Sequence, residues 1–164
     1  MINQPTKTKN IKREFLENSL MHFHLFAAIA WIGGAIFMFV LGITLKDKKK
    51  QDSVYPHVGP IFGYYQFIAL ILLLSTGIIM SNNNGLLDLL IQGDKSDVVY
   101  YLGIKLWAVL FVIIATFVHF YIAMKTNNKQ RSYFENILSR GSSLFIFFAN
   151  LYILHYAIMI RSIL

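Results

Sequence analysis

Charged residues divide this chain of 164 residues into four long stretches that carry almost no charge. Each stretch is about as long as the ~20 apolar residues that an α-helix needs to cross a bilayer. One such stretch could be a buried helix of a soluble protein, but four in succession, separated by polar loops, favour a membrane protein. The stretches lie between Glu17 and Lys46, between Asp52 and Asp88, between Asp97 and Lys125 with Lys105 inside, and between Arg140 and Arg161.

These stretches predict an all-α fold, an integral membrane four-helix bundle with up-down-up-down topology. Four spans leave no room for a separate soluble domain, so we expect a single transmembrane domain over 1–164. The first stretch is too long for a cleavable signal peptide, and no small-residue cleavage site follows it. We place the spans at about 20–45, 59–81, 99–124 and 142–163, after a basic N-terminal segment at 1–18.

Composition agrees with a membrane environment and excludes several chemistries. Hydrophobic residues make up 56% of the chain, and 14 residues are Phe, far more than in a soluble domain of this size. The formal net charge of +7 lies in short loops and at the N-terminus, which indicates contact with lipid headgroups and no binding of nucleic acid. Because there is no Cys, disulfides, thiolate metal ligands and covalent c-type haem are excluded. We expect the inner (cytoplasmic) membrane of a bacterium as the location.

The first span contains a polar motif on one helical face. Residues 21–34 read MHFHLFAAIAWIGG, with Trp31 two helical turns after His24. An imidazole inside an apolar helix needs a partner and usually has a function. Small residues around it predict an inward-facing stripe that leaves space for a neighbouring helix or a flat cofactor. The stripe consists of His24, Ala27, Ala28, Trp31, Gly34, Ala35 and Met38.

The other spans carry comparable faces. The third shows a stripe of Lys105, Ala108, Val112, Ala115 and His119, and the second offers Gly63, Gln66, Leu70 and Gly77. In the fourth span, His155 shares a face with Phe148, Tyr152 and Met159, whereas Asn150 lies on another face. We expect the His155 face to turn inward.

The five histidines sort by depth into two levels. We call the face of the bundle where the first span begins side A, and the opposite face side B. His24 and His155 lie near side A, together with Lys105. His119 lies near side B, and His57 just precedes the second span. His22 points away from the His24 face.

Two histidine levels in a helical bundle favour axial ligation of haem b. We expect His24 and His155 to hold one haem near side A, and His57 and His119 to hold a second, so that one or two haems are bound. Trp31, Gly34 and Lys105 are candidate cofactor-binding residues, with Lys105 facing a haem propionate. Each residue also has a purely structural alternative. A histidine can hydrogen-bond a backbone carbonyl, Lys105 can extend to the lipid headgroups, and Trp31 can serve in packing alone.

The same features resemble the copper-resistance protein D (CopD) family and, more distantly, the HemJ-type protoporphyrinogen oxidases. The shared pattern is His24 followed by Trp31, Gly33 and Gly34, then Ser75-Thr76-Gly77 at the end of the second helix, and Leu102-Gly103-Ile104-Lys105-Leu106 at the start of the third. The resemblance spans all four helices. It implies a haem b site that uses His24, with Lys105 nearby.

Four functions follow from these observations. The first is a small transmembrane b-type cytochrome that exchanges electrons with quinone or a redox partner, as a subunit of a respiratory complex or alone. The second is a HemJ-like oxidase of porphyrinogen. The third is CopD-like copper transport, although Cu(I) prefers soft thiolate and thioether ligands, and here Cys is absent and the six Met are scattered. The fourth is an accessory subunit without cofactor. A redox protein agrees better with the residues than a self-contained enzyme.

Overall fold

The computed structural model describes residues 4–126 and 132–163, with side chains described from residue 14 onward except at 48, 52 and 136. It contains five helices and no strand within these residues. They are α1 (Gln4–Thr44), α2 (Lys48–Asn83), the short α3 (Leu86–Ile91), α4 (Asp97–Lys125) and α5 (Tyr133–Ile163).

Four of the described helices are long and apolar enough to cross a membrane. Their candidate spans are Glu14–Thr44, Ser53–Asn83, Asp97–Lys125 and Tyr133–Ile163. Large apolar side chains cover their outer surfaces, including Phe26, Ile61 and Ile158, each at least 60% exposed. A surface of this kind requires a lipid environment. The predicted all-α four-helix membrane bundle is therefore confirmed.

The helices are longer than the apolar stretches that predicted them. α1 begins at Gln4 and has 41 residues, about 60 Å at 1.5 Å per residue, twice the ~30 Å of a hydrocarbon core. α2 begins at Lys48, where the Asp47 carboxylate accepts a hydrogen bond from the Lys49 backbone N–H at 3.0 Å. His57, which we expected to precede the second helix, lies inside it. Charges end an apolar span, but capping groups end a helix, so the two boundaries differ.

The helices form a ring in which neighbours are antiparallel. α1 packs extensively on α2, and α4 packs extensively on α5, while the looser contacts of α1 with α5 and of α2 with α4 close the ring. The Trp31 side chain reaches Asn150 across α1 and α5, and Phe120 of α4 packs against Gly63 of α2. This order matches the predicted up-down-up-down topology.

The predicted inward stripes of α1, α2 and α4 are confirmed. Every residue of the α1 stripe is buried or half-buried, with Ala27 at 1% and Trp31 at 3% exposure. The α4 stripe is likewise inward, with Val112 at its centre. The apolar core between the helices consists of Trp31, Ala69, Leu70, Val112 and Ile146.

The predicted inward face of α5 is wrong. Ser142, Ile146, Asn150 and Ile160 are buried, whereas Phe148, Tyr152 and His155 are exposed. Both the buried and the exposed positions of α5 include large apolar residues, and lipid is as apolar as the core, so hydrophobicity does not identify the inward face. The buried face carries polar residues, among them Asn150, whose amide oxygen accepts a hydrogen bond from Trp31 of α1.

Candidate functional site

His24 lies on the inner face of α1 and is held by a side chain of α2. Its Nδ1 lies 2.8 Å from the hydroxyl oxygen of Thr76. The Thr76 hydroxyl donates its own hydrogen to the Leu72 carbonyl at 2.6 Å. Because that hydrogen is already used, the Thr76 oxygen accepts from His24, and the proton of the imidazole lies on Nδ1. Nε2 is then the nitrogen with a lone pair.

A glycine makes the space for this ring. A Cβ atom on Gly77 would lie 3.3 Å from Cε1 of His24, which is tighter than an ordinary contact. The carbonyl of Leu73 also lies within hydrogen-bonding reach of the imidazole. One turn of α2 therefore supplies both the groups that orient His24 and the room that it occupies.

Lys105 of α4 belongs to the same region. Its side chain is half-buried, and it lies close enough to His24 for a direct electrostatic interaction. The structure thus brings together the two residues that the sequence placed at side A on inward stripes. A cation beside an imidazole that offers Nε2 is a suitable neighbour for an anionic group of a bound cofactor.

Trp31 and Gly34 lie further along the same face of α1, toward side B. The Trp31 indole N–H donates to Oδ1 of Asn150 at 2.8 Å, and its backbone carbonyl accepts from the Gln66 amide at 3.2 Å. At Gly34, a Cβ atom would come within 3.0 Å of the Phe62 ring, so this glycine permits close packing of α1 on α2. Both residues join helices in the bundle core.

His119 defines a second polar region near side B. Its Nδ1 lies 3.1 Å from the Ser139 carbonyl and 3.2 Å from the Ser142 hydroxyl, both on α5. Ser142 donates its own hydrogen to Ser139, so the His119 ring donates to both oxygens through Nδ1. His24 lies beside Gly77 of α2, and Phe120, the residue after His119, lies beside Gly63. The two glycines are fourteen residues apart on α2. The two regions are therefore about 21 Å apart along the bundle.

The structure does not bring the other predicted ligands to these regions. His57 is exposed, with Nδ1 3.1 Å from the Ser53 carbonyl of its own helix. His155 is exposed on the outer face of α5, where its ring meets the ring of Tyr156 edge-on. Trp31 follows His24 on α1 and bonds to Asn150, which precedes His155 on α5, so the two histidines lie at a similar depth. Their directions differ, because the rotation of α5 turns His155 outward.

Three residues of the site had no predicted role. Thr76 and Gly77 belong to the Ser75-Thr76-Gly77 segment of the family resemblance, and only their contacts with His24 explain them. Asn150, which the sequence placed off the His155 face, is 5% exposed, and its Nδ2 has no hydrogen-bond partner among the described residues. The sequence signal that pointed to Asn150 was a polar amide inside an apolar span.

A groove of about 670 Å³ lies between the end of α4 and the beginning of α5. Its apolar wall includes Phe117, Tyr121 and Phe134, and a Lys125–Glu135 ion pair of 3.1 Å stands beside it. None of the predicted ligands lines this groove. It is separate from the His24 region.

Across the described residues, no three His, Asp or Glu side chains are grouped as a metal-ion site would require. A haem does not need such a group, because the porphyrin supplies four nitrogens and the protein supplies the axial ligand. Comparison of the chain with protein-family models, with curated proteins and with solved structures gave no match.

Proposed function

We propose that this protein is a transmembrane b-type haem protein in which Nε2 of His24 is an axial ligand. The observation that carries the proposal is the hydrogen bond of His24 to Thr76. Histidines that bind metals commonly donate the other ring N–H to an oxygen, which selects the tautomer and fixes the ring. The imidazole of His24 has this arrangement, on the inner face of a membrane helix.

Lys105 supports the same proposal through its charge. A lysine in the interior of a bundle is costly unless an anion is near. A haem propionate would pair with the Lys105 ammonium, as the resemblance to the CopD family implies. A bound haem would supply one-electron redox chemistry. The chain would contribute the ligand at His24, the cation at Lys105 and the close-packed core around Trp31.

We further propose electron exchange with quinone or with another redox protein of the bacterial cytoplasmic membrane. The four apolar helices give the bilayer as the environment, so quinone and other membrane subunits are the partners that can reach them. The His119 region is the candidate for a second haem, because Nδ1 of His119, like that of His24, donates to oxygens of a neighbouring helix. Two haems separated along the bundle would connect the two faces of the membrane.

A HemJ-like oxidation of porphyrinogen is the second candidate. The proximity of His24 and Lys105 supports it too, because the resemblance implies a haem b site that uses His24 with Lys105 nearby. The two functions differ in their consequence for the cell. Loss of an oxidase would cause porphyrin to accumulate, whereas loss of an electron carrier would not.

The test is an absorption spectrum of the protein purified from membranes in detergent, oxidised and then reduced with dithionite. We expect a Soret band and the α and β bands of haem b. His24→Ala should remove or strongly shift them, and the matched control His22→Ala, on the opposite face of the same helix, should not. A protein without a Soret band after expression with ample haem would refute the proposal.

A further inference from the structure

The outer face of α5 carries a polar side chain that lies within the membrane span. His155 is exposed, and no described residue forms a hydrogen bond with its ring. Arg161 marks the side-A end of the helix, where its guanidinium reaches the sulfur of Met21. His155 precedes it by six residues and therefore lies about 9 Å deeper. Hydrocarbon chains offer neither donor nor acceptor, so an imidazole at this depth requires a polar partner.

His155 belongs to a regular row of side chains. Starting from Gly141, the row continues through Phe145, Phe148, Tyr152, His155 and Met159, with spacings that alternate between four and three residues. This spacing is the seam of a coiled coil. The side chains from Phe145 to His155 are exposed, and Met159 is half-buried. The buried face of α5, with Ile146 and Asn150, points elsewhere, so the bundle does not use this seam.

We propose that this seam binds the same seam of a second copy of the chain, with α5 against α5 around a twofold axis. A neutral imidazole has one donor and one acceptor nitrogen, so two His155 rings that meet at the axis form one N–H···N hydrogen bond with each other. Such self-complementarity is what a twofold interface requires. Two copies in one membrane share an orientation, which makes the pair parallel and keeps both His155 rings at the same depth.

The neighbours of His155 agree with a helix as the occupant. The rings of Phe145, Phe148 and Tyr152 would form the successive layers of a helix–helix contact. At Gly141, no atom lies within 4 Å of the position of a Cβ atom, which leaves room for a second backbone to approach. The pairing needs no haem, so it stands or fails independently of the proposed function.

The absence of Cys allows the seam to be mapped by cross-linking. Four single-cysteine variants would be reconstituted in liposomes and oxidised mildly: Phe148→Cys and Tyr152→Cys on the seam, and Leu154→Cys and Ile158→Cys on neighbouring exposed faces of the same helix. A disulfide requires the two Cβ atoms to approach within about 4.5 Å. We expect covalent dimers from the two seam variants and monomers from the other two. Equal cross-linking at all four positions, or cross-linking only off the seam, would overturn the proposal.

Resonance energy transfer between labelled copies measures the strength of the pair as the protein-to-lipid ratio is lowered. We expect His155→Phe to raise the dissociation constant about three- to thirtyfold, the effect of one interhelical hydrogen bond in a membrane. The matched control is His22→Phe, since His22 is exposed and its Nδ1 already bonds the Asn18 carbonyl. An unchanged constant in His155→Phe would refute the pairing. A wild-type monomer at every ratio would assign His155 to a lipid headgroup or a quinone, and would refute it too.

Discussion

Nδ1 of His24 and the hydroxyl of Thr76 meet at 2.8 Å across the contact between α1 and α2. The two residues are 52 positions apart in the chain. Their hydrogen bond turns a membrane histidine into one with a defined tautomer, because Thr76 has already donated its hydrogen to Leu72. The orientation of the candidate ligand thus depends on groups of the neighbouring helix, foremost the hydroxyl oxygen of Thr76.

Replacement of that oxygen should weaken the haem site while the fold persists. Thr76→Val keeps the shape of the side chain but removes the acceptor for His24. We expect a ten- to hundredfold loss of haem affinity, the usual effect of removing such a supporting hydrogen bond, measured by haem titration of the apoprotein. The control is Thr116→Val, because Thr116 also bonds a carbonyl of its own helix, at Val112, but has no histidine partner among its hydrogen bonds. Equal affinities in the two variants would contradict the role of Thr76.

A methyl group at Gly77 should disturb His24 directly. In Gly77→Ala the new Cβ atom would lie 3.3 Å from the imidazole, so the ring must shift by a few tenths of an ångström. We expect an altered haem spectrum, and a stability near that of the wild type because the better helix propensity of Ala offsets the crowding. The control Gly103→Ala has nothing within 4 Å of the new atom and should gain about 0.5–1 kcal/mol. Unfolding in mixed micelles measures the stabilities of the two variants. An unperturbed haem spectrum in Gly77→Ala would argue against the site.

The buried contact between Trp31 and Asn150 should contribute to stability. Trp31→Phe removes the indole N–H and leaves Oδ1 of Asn150 without its donor, beside an Nδ2 that already has no partner. We expect a loss of about 1–3 kcal/mol in the free energy of unfolding, the cost of an unsatisfied buried polar group. The double variant with Asn150→Leu should recover part of that loss. A double variant less stable than Trp31→Phe alone would show that the amide has another role.

The outward direction of His155 predicts an open coordination position on the haem at His24. Reduced protein should then bind carbon monoxide, with a shift of the Soret band, and His155→Ala should give the same spectra as the wild type. Absence of carbon monoxide binding would indicate a second protein ligand.

The turn before α4 should add a small pH dependence to stability. The Ser96 backbone N–H donates to the Asp94 carboxylate at 2.6 Å, and this bond holds the pKa of Asp94 below its usual range. The stabilisation is therefore present above the unfolded-state pKa of about 3.9, and is lost as the pH falls through the lower value of the folded state. Between pH 5 and pH 3 the midpoint temperature of Asp94→Asn should fall less than that of the wild type. Parallel curves for the two proteins would contradict this assignment.

Much of the fold could be predicted from the positions of charges. A charged side chain is costly in hydrocarbon, so the intervals between charges give the number of spans, and small residues give the inward faces of α1 and α4. His24, Trp31 and Lys105 could be predicted as inward for the same reason. Helix ends could not, because backbone capping by groups such as Asp47 extends a helix beyond its apolar stretch.

The sequence by itself thus determined the membrane environment, the four spans, and the similar depth of His24 and His155, since depth within a span depends on residue number and helical rise. The tertiary structure decided direction. The side of α5 that faces the core is fixed by contacts with other helices, such as the hydrogen bond between Trp31 and Asn150, and these contacts leave His155 outside. The partner of His24 was also decided there, because Thr76 comes within reach of the imidazole only when α1 and α2 pack antiparallel at the register that Gly34 and Gly77 permit.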